Sequence, residues 1–121
     1  RDALGSKKNL GNASKSTYQI NFKNKREAIK ESLEDQYEGA DILMVKPAMY
    51  YLDIINELKK NTFCPVAAYQ VSGEYSMIKH LSDKKIFNYK DVVLESLYCI
   101  KRAGADIIFT YFAKEVAKWL K

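Results

Sequence analysis

Two stretches of this chain repeat one pattern, and that repeat limits the possible folds more than any other feature. "EGADILMVKPA" (38–48) and "AGADIIFTYFA" (103–113) both run Gly-Ala-Asp-Ile, then an apolar stretch, then an alanine opening the next segment. A helical pattern precedes each. "NKREAIKESLEDQYEG" (24–39) sets Ala28, Ile29, Leu33 and Tyr37 among polar residues. "YKDVVLESLYCIKRAG" (89–104) carries Val92, Val93, Leu94, Leu97 and Ile100, and glycine is the stop in both. A helix that hands over to a buried apolar strand, twice, predicts parallel strands covered by helices.

The intervening segments extend the alternation. "ADILMVKP" (40–47) reads as a strand ended by Pro47, which has no N–H to donate. "CPVAAYQVSG" (64–73) reads as another, closed by Gly73, and "ADIIFTYF" (105–112) as a third. Helices are expected over "YYLDIINELKKN" (50–61), "EYSMIKHLSD" (74–83) and "AKEVAKWLK" (113–121). Three strands cannot close a barrel. The expected fold is therefore the C-terminal portion of a (β/α)₈ TIM barrel, with a small open α/β domain as the alternative.

With 121 residues, 47% of them hydrophobic, the chain is long and apolar enough for one domain or part of a larger one. No apolar run approaches the ~20 residues that cross a bilayer, so no membrane association is expected. Charge is unevenly spread. The first thirty residues hold eight basic side chains against Asp2 and Glu27, a net of +6, which leaves −1 for the rest of a chain totalling +5. Such an opening suits a loop over an anionic small molecule, a nucleic-acid contact or a solvated surface. No nucleic-acid motif accompanies the lysines, and no nucleic-acid partner is expected. "GNASKST" fails as a phosphate loop, because its spacing is wrong, no glycine stands directly before its lysine and no apolar strand leads into it. Cys64 and Cys99 are far apart and, with His80 the sole histidine, make no zinc site. Buried, reduced thiols are expected.

In either α/β architecture, ligands bind beyond the carboxyl ends of the strands. Those ends are Lys46; Gln70, Val71 and Ser72; and Thr110 and Tyr111. Lys46 has two readings. An apolar pocket disfavours an ammonium and frees an amine for Schiff-base chemistry, whereas a long side chain at a sheet edge can simply reach water. Ser72 reads as a ligand hydroxyl or as turn punctuation, and Tyr111 as a ligand phenol or a core aromatic.

At this point the residues match a pattern. "MVKP", "YLDI", "YQVSGEYSMIK", "VLESL" and "RAGADIIFTYFA", preceded by "RDALGS" and "TYQINFKNKREAIKESL", closely resemble the porphobilinogen synthase (δ-aminolevulinic acid dehydratase) family. The resemblance spans essentially the whole chain, in order. It implies the C-terminal part of one catalytic barrel domain, with 1–23 as a basic active-site lid and 24–121 as the alternating helices and strands. It also implies condensation of two 5-aminolevulinate molecules to porphobilinogen, a homo-oligomer (an octamer in the family), and a cytoplasmic or plastid location. By similarity, Lys46 forms a Schiff base with one substrate, whose carboxylate Ser72 and Tyr111 hold. Arg1, Lys15 and Gln19 match the residues that hold the second substrate's carboxylate.

The match has departures. Lys15 stands where many members have arginine, which removes the bidentate fork, and Lys7–Ser14 looks longer than usual. The family's other Schiff-base lysine and its metal segment would precede residue 1. Glu31 matches the magnesium-binding glutamate of magnesium-activated members, though it also reads as an exposed helix carboxylate; this segment gives zinc no support. Two rivals remain, another Schiff-base barrel of the aldolase type and a degenerate, non-catalytic barrel subunit. Retention of Lys46, Ser72 and Tyr111 together argues against the second.

Overall fold

The computed structural model describes residues 20–121. Helix α1 (Lys25–Tyr37) leads into β1 (Leu43–Val45), and α2 (Leu52–Asn61) into β2 (Val66–Gln70). Then come α3 (Ser72–Asp83), α4 (Tyr89–Ala103), β3 (Ile107–Thr110) and α5 (Ala113–Trp119). Asn24 and Asn88 begin α1 and α4 by accepting the backbone N–H of Glu27 and Asp91. The repeated glycines end the same helices. Gly39 and Gly104 have φ of +103° and +120°, which a residue with a Cβ rarely adopts. At Gly104 a Cβ would also meet Lys59 at 3.0 Å.

The three strands form one parallel sheet in the order β1-β2-β3. Leu43 pairs with Val66 and Val45 with Ala68; Ala67 pairs with Ile107 and Gln70 with Thr110. Side chains alternate between the two faces. Val45, Ala68 and Ile108 point to the helix side, where they pack with Ile54, Ile55, Leu58 and Ile100, and with Ala28 and Ile29 of α1. A second cluster gathers Ile78 of α3, Val93 of α4 and Phe112, flanked by Tyr75, Tyr89 and Trp119. The other face carries Ile42, Met44, Ile107 and Phe109, all exposed among the described residues. A doubly wound sheet carries helices on both faces, and a barrel wall carries them on one. The one-sided arrangement is that of a barrel wall.

Some sequence expectations shift. The strands are shorter than their apolar runs. Ser72 and Gly73 belong to α3 and do not close β2. Tyr37 is 93% exposed and Leu33 is also exposed, because α1 lies over the β1 edge and reaches the core only through Ala28 and Ile29. Both thiols are free but only half-buried: Cys64 Sγ donates to the Ala40 carbonyl at 3.1 Å, and Cys99 Sγ accepts from Arg102 at 3.4 Å.

The aspartate of the second repeat has a structural task. Asp106 accepts the Val66 N–H at 2.9 Å and the Lys59 amine at 2.7 and 2.9 Å, while its own N–H donates to the Val66 carbonyl at 2.8 Å. One carboxylate thus joins the starts of β2 and β3 to the end of α2. The Lys59 hydrogen bond, followed by the Val66 amide, holds this carboxyl below its ordinary value of 3.8. A lowered folded-state pKa adds stability that is present above the ordinary carboxylate range and disappears as pH falls through the folded value. Asp106→Asn, made in the full-length protein, is therefore expected to lower the unfolding temperature at neutral pH. The gap from wild type should close on acidification below the ordinary range. Thermal melts across pH test this, and a gap independent of pH would reject it.

Candidate functional site

At the carboxyl ends of the strands, the first question is which way each side chain points. Leu43 and Val45 are buried toward the helices, whereas Ile42, Met44 and Lys46 are exposed. The alternation carries Lys46 to the uncovered face, the same one that holds Tyr69 and Phe109. Its amine has no hydrogen bond or ion pair among the described residues. The Lys46–Pro47 peptide is cis. Just beyond it the chain is tied to β2, where the Ala48 N–H donates to the Tyr69 carbonyl at 3.0 Å.

The second rim segment follows β2. Ser72 is the first residue of α3, half-buried, with its hydroxyl unpartnered among the described residues. Tyr111 follows β3, and its hydroxyl lies 3.0 Å from that of Tyr69. The ring also packs on Tyr75 of α3, with centroids 5.4 Å apart. That hydrogen bond, more than burial, raises Tyr69 above the ordinary phenol value of 10.0. Lys46, Ser72 and Tyr111 therefore share one rim of the sheet, as the strand-end argument expects.

Gln70 and Thr110 do not join them. Both point to the helix side, where Gln70 is fully buried. Its Oε1 accepts from the Thr110 hydroxyl at 2.6 Å, and its Nε2 donates to Ser96 at 3.0 Å and Met49 Sδ at 3.4 Å. Thr110 in turn accepts the Phe112 N–H at 3.2 Å, and the Phe112 ring is wholly buried. Tyr111 is thus held on both sides by residues anchored among the helices.

Glu74 was not legible as a site residue. It is 2% exposed, and its two oxygens accept the N–H groups of Met49 and Val71, each at 2.6 Å. Burial raises its carboxyl above 4.5 against the opposing pull of these amides. An acid three residues after an N-cap is a recognisable helix-start signal, but here the N-cap is Val71 rather than Ser or Thr, which hides the pattern.

Arg1, Lys15 and Gln19 lie outside the described residues, as does the 1–19 part of the expected lid. Glu31 is an exposed residue of α1 with no hydrogen-bond or ion-pair partner among the described residues. Among those residues, no three His, Cys, Asp or Glu side chains gather as a metal site.

The family model of δ-aminolevulinic acid dehydratase matches residues 1–119. The chain belongs to that family. It is 50% identical over 121 residues to δ-aminolevulinic acid dehydratase of Helicobacter pylori, covering 100% of this chain and 37% of that protein. The chloroplastic δ-aminolevulinic acid dehydratase of Spinacia oleracea is 56% identical over 120 residues, covering 99% of this chain and 27% of its own length. The chain therefore spans well under half of these relatives. A crystal structure of the Toxoplasma gondii enzyme in complex with the reaction product porphobilinogen superposes with a TM-score of 0.87 at 48% identity, over 91% of this chain and 31% of that one. The fold is the C-terminal portion of a (β/α)₈ barrel. Among the described residues, no helix is long and apolar enough to cross a membrane.

The buried Gln70 network makes a direct prediction. Gln70→Leu keeps the approximate volume but removes the acceptor of the Thr110 hydroxyl and the donor to Ser96, which keep only their bonds to the Phe112 N–H and the Val93 carbonyl. An unsatisfied buried polar group costs roughly 1–3 kcal/mol. Because each hydroxyl keeps one partner, denaturant unfolding of the full-length protein should show a loss toward the lower end of that range, about 1 kcal/mol, and an unchanged midpoint would mean that the network carries no stability.

Proposed function

We propose that this segment supplies one side of a porphobilinogen synthase active site, in which Lys46 is the covalent catalyst. Its amine would attack the ketone of one 5-aminolevulinate, and loss of water would leave an imine. The imine withdraws electrons from the neighbouring carbon, which eases C–C and C–N bond formation with a second 5-aminolevulinate. Two C₅ molecules give porphobilinogen and two waters, with the lysine returned when product leaves. Ser72 and Tyr111 would hold the carboxylate of the Lys46-bound substrate by donating their hydroxyl protons. Arg1, Lys15 and Gln19 would hold the second substrate's carboxylate.

The observation that carries this reading is that Lys46 lies on the uncovered sheet face, on the rim shared with Ser72 and Tyr111, in a chain of this family. An amine there can meet a ligand inside a closed barrel, which a lysine on the helix side could not. In the full-length enzyme, borohydride added with 5-aminolevulinate should covalently label the peptide containing Lys46. Lys46→Ala should remove nearly all turnover, because the covalent route is lost and not merely tuned. Substantial activity in that variant would refute the assignment.

The chemistry of Glu31 suits magnesium better than zinc. Magnesium takes oxygen ligands and keeps several waters, so a lone exposed carboxylate can hold it where subunits of a homo-oligomer meet, whereas structural zinc needs four ligands that Glu31 does not gather. Bound there, magnesium would support assembly. Glu31→Gln should abolish magnesium stimulation of the full-length enzyme while basal turnover remains. An unchanged magnesium response would reject the site. The family's location, by this reading, is the cytoplasm or a plastid.

A further inference from the structure

We infer that Glu74 is a positioning residue that sets the Lys46 loop against the Ser72 helix start. The inference rests on the function proposed above for its effect on turnover, but its geometry stands alone.

Lys46 and Ser72 belong to different strand–helix connections, and the sheet ladder ends before either: the β1–β2 pairing stops at Val45–Ala68. Beyond that point, backbone amides of the first connection reach β2 and α3, with two weaker contacts to sulfur, Gln70 to Met49 and Tyr50 to Met77, beside them. The Ala48 N–H donates to the Tyr69 carbonyl at 3.0 Å, and the Glu74 carboxylate accepts from Met49 with one oxygen and from Val71 with the other, both at 2.6 Å. Glu74 therefore bridges residue 49, three positions after the lysine, and residue 71, immediately before the serine. Neither N–H has a backbone acceptor among the described residues, and the carboxylate is 2% exposed, so water cannot readily replace it. Met49 is held a second time through Sδ, which accepts from the buried Gln70 amide at 3.4 Å.

This arrangement matters because the two residues would have to act on one substrate molecule. If Lys46 forms the imine while Ser72 holds the carboxylate, the span between them has to match the length of the substrate, and small misplacements of reacting groups reduce rates steeply. A single rigid acceptor shared by both connections sets that span. Glu74 itself touches no substrate atom in this account.

The test uses the full-length enzyme with Glu74→Gln, which keeps the shape but turns an NH₂ toward one of the two N–H donors. Val93→Ala serves as a control, because it trims the cluster against which Met49 packs but removes none of the hydrogen bonds that join the two connections. Both should still unfold cooperatively. Glu74→Gln is expected to lower kcat, and the rate of borohydride trapping at Lys46, by roughly tenfold or more. Val93→Ala should leave both near wild type. Amide hydrogen exchange adds an independent reading: Met49 and Val71 should be slow in wild type and faster in Glu74→Gln. Fast exchange of these two amides in wild type would overturn the inference even if no variant folded. So would trapping in Glu74→Gln within about twofold of wild type. A wild-type enzyme that makes no porphobilinogen would defeat the proposed function alone, since the exchange data would still decide whether Glu74 joins the two connections.

Discussion

Strand β2 is paired on both sides, and the molecule hangs on how its two ends are finished. A strand's amides need acceptors beyond the point where its ladder runs out. At the start of β2, Val66 finds Asp106; just past its end, Val71 finds Glu74. The two carboxylates meet opposite surroundings. Asp106 is open to water beside the Lys59 amine and is held ionised, whereas Glu74 is enclosed and burial works against its charge. The solvent-facing acid joins strands to a helix at the base of the sheet, and the enclosed acid joins two connections at the rim. Stability and site geometry thus rest on the same strand, through different ends.

Between those ends, the pleat separates the two tasks. Side chains facing the helices build the core: Val45, Ala68, Ile108 and the Gln70–Thr110–Ser96 network. Of those on the other face, Met44, Lys46 and Phe109 remain open and Tyr69 is half-buried. Small residues make the central strand fit. Ala67 lies between Met44 and Ile107 and is wholly buried by them without projecting itself.

Much of this was legible in the chain. The helix-to-strand repeats, their glycine stops and the parallel order all follow from periodicity and turn chemistry, and the family is evident in blocks such as "MVKP" and "YQVSGEY". Side-chain direction was not. Lys46, Gln70 and Thr110 all end strands, yet only the pleat and register reveal that the lysine faces away from the helices and the other two face toward them. Tyr37 looked like the end of an apolar stripe because helical spacing cannot say how far a neighbouring layer extends. Glu74 was hidden for a related reason. A glutamate in the first turn of an amphipathic helix is ordinary, and its partner Met49 lies 25 residues away.

The ties at the rim also govern where this chain can accept change in length. Residues 47–51 are bound to β2 through Ala48 and to α3 through Met49, so an added residue there would put one of those amides out of register with its acceptor. The α3–α4 connection is different. Lys84, Lys85 and Ile86 are exposed, and Lys85 already turns with a φ of 55°, while their backbone bonds reach back only into the last turn of α3. An epitope, a fluorophore site or a natural insertion placed at 84–86 would lengthen the perimeter of the barrel without altering the distance from Lys46 to Ser72.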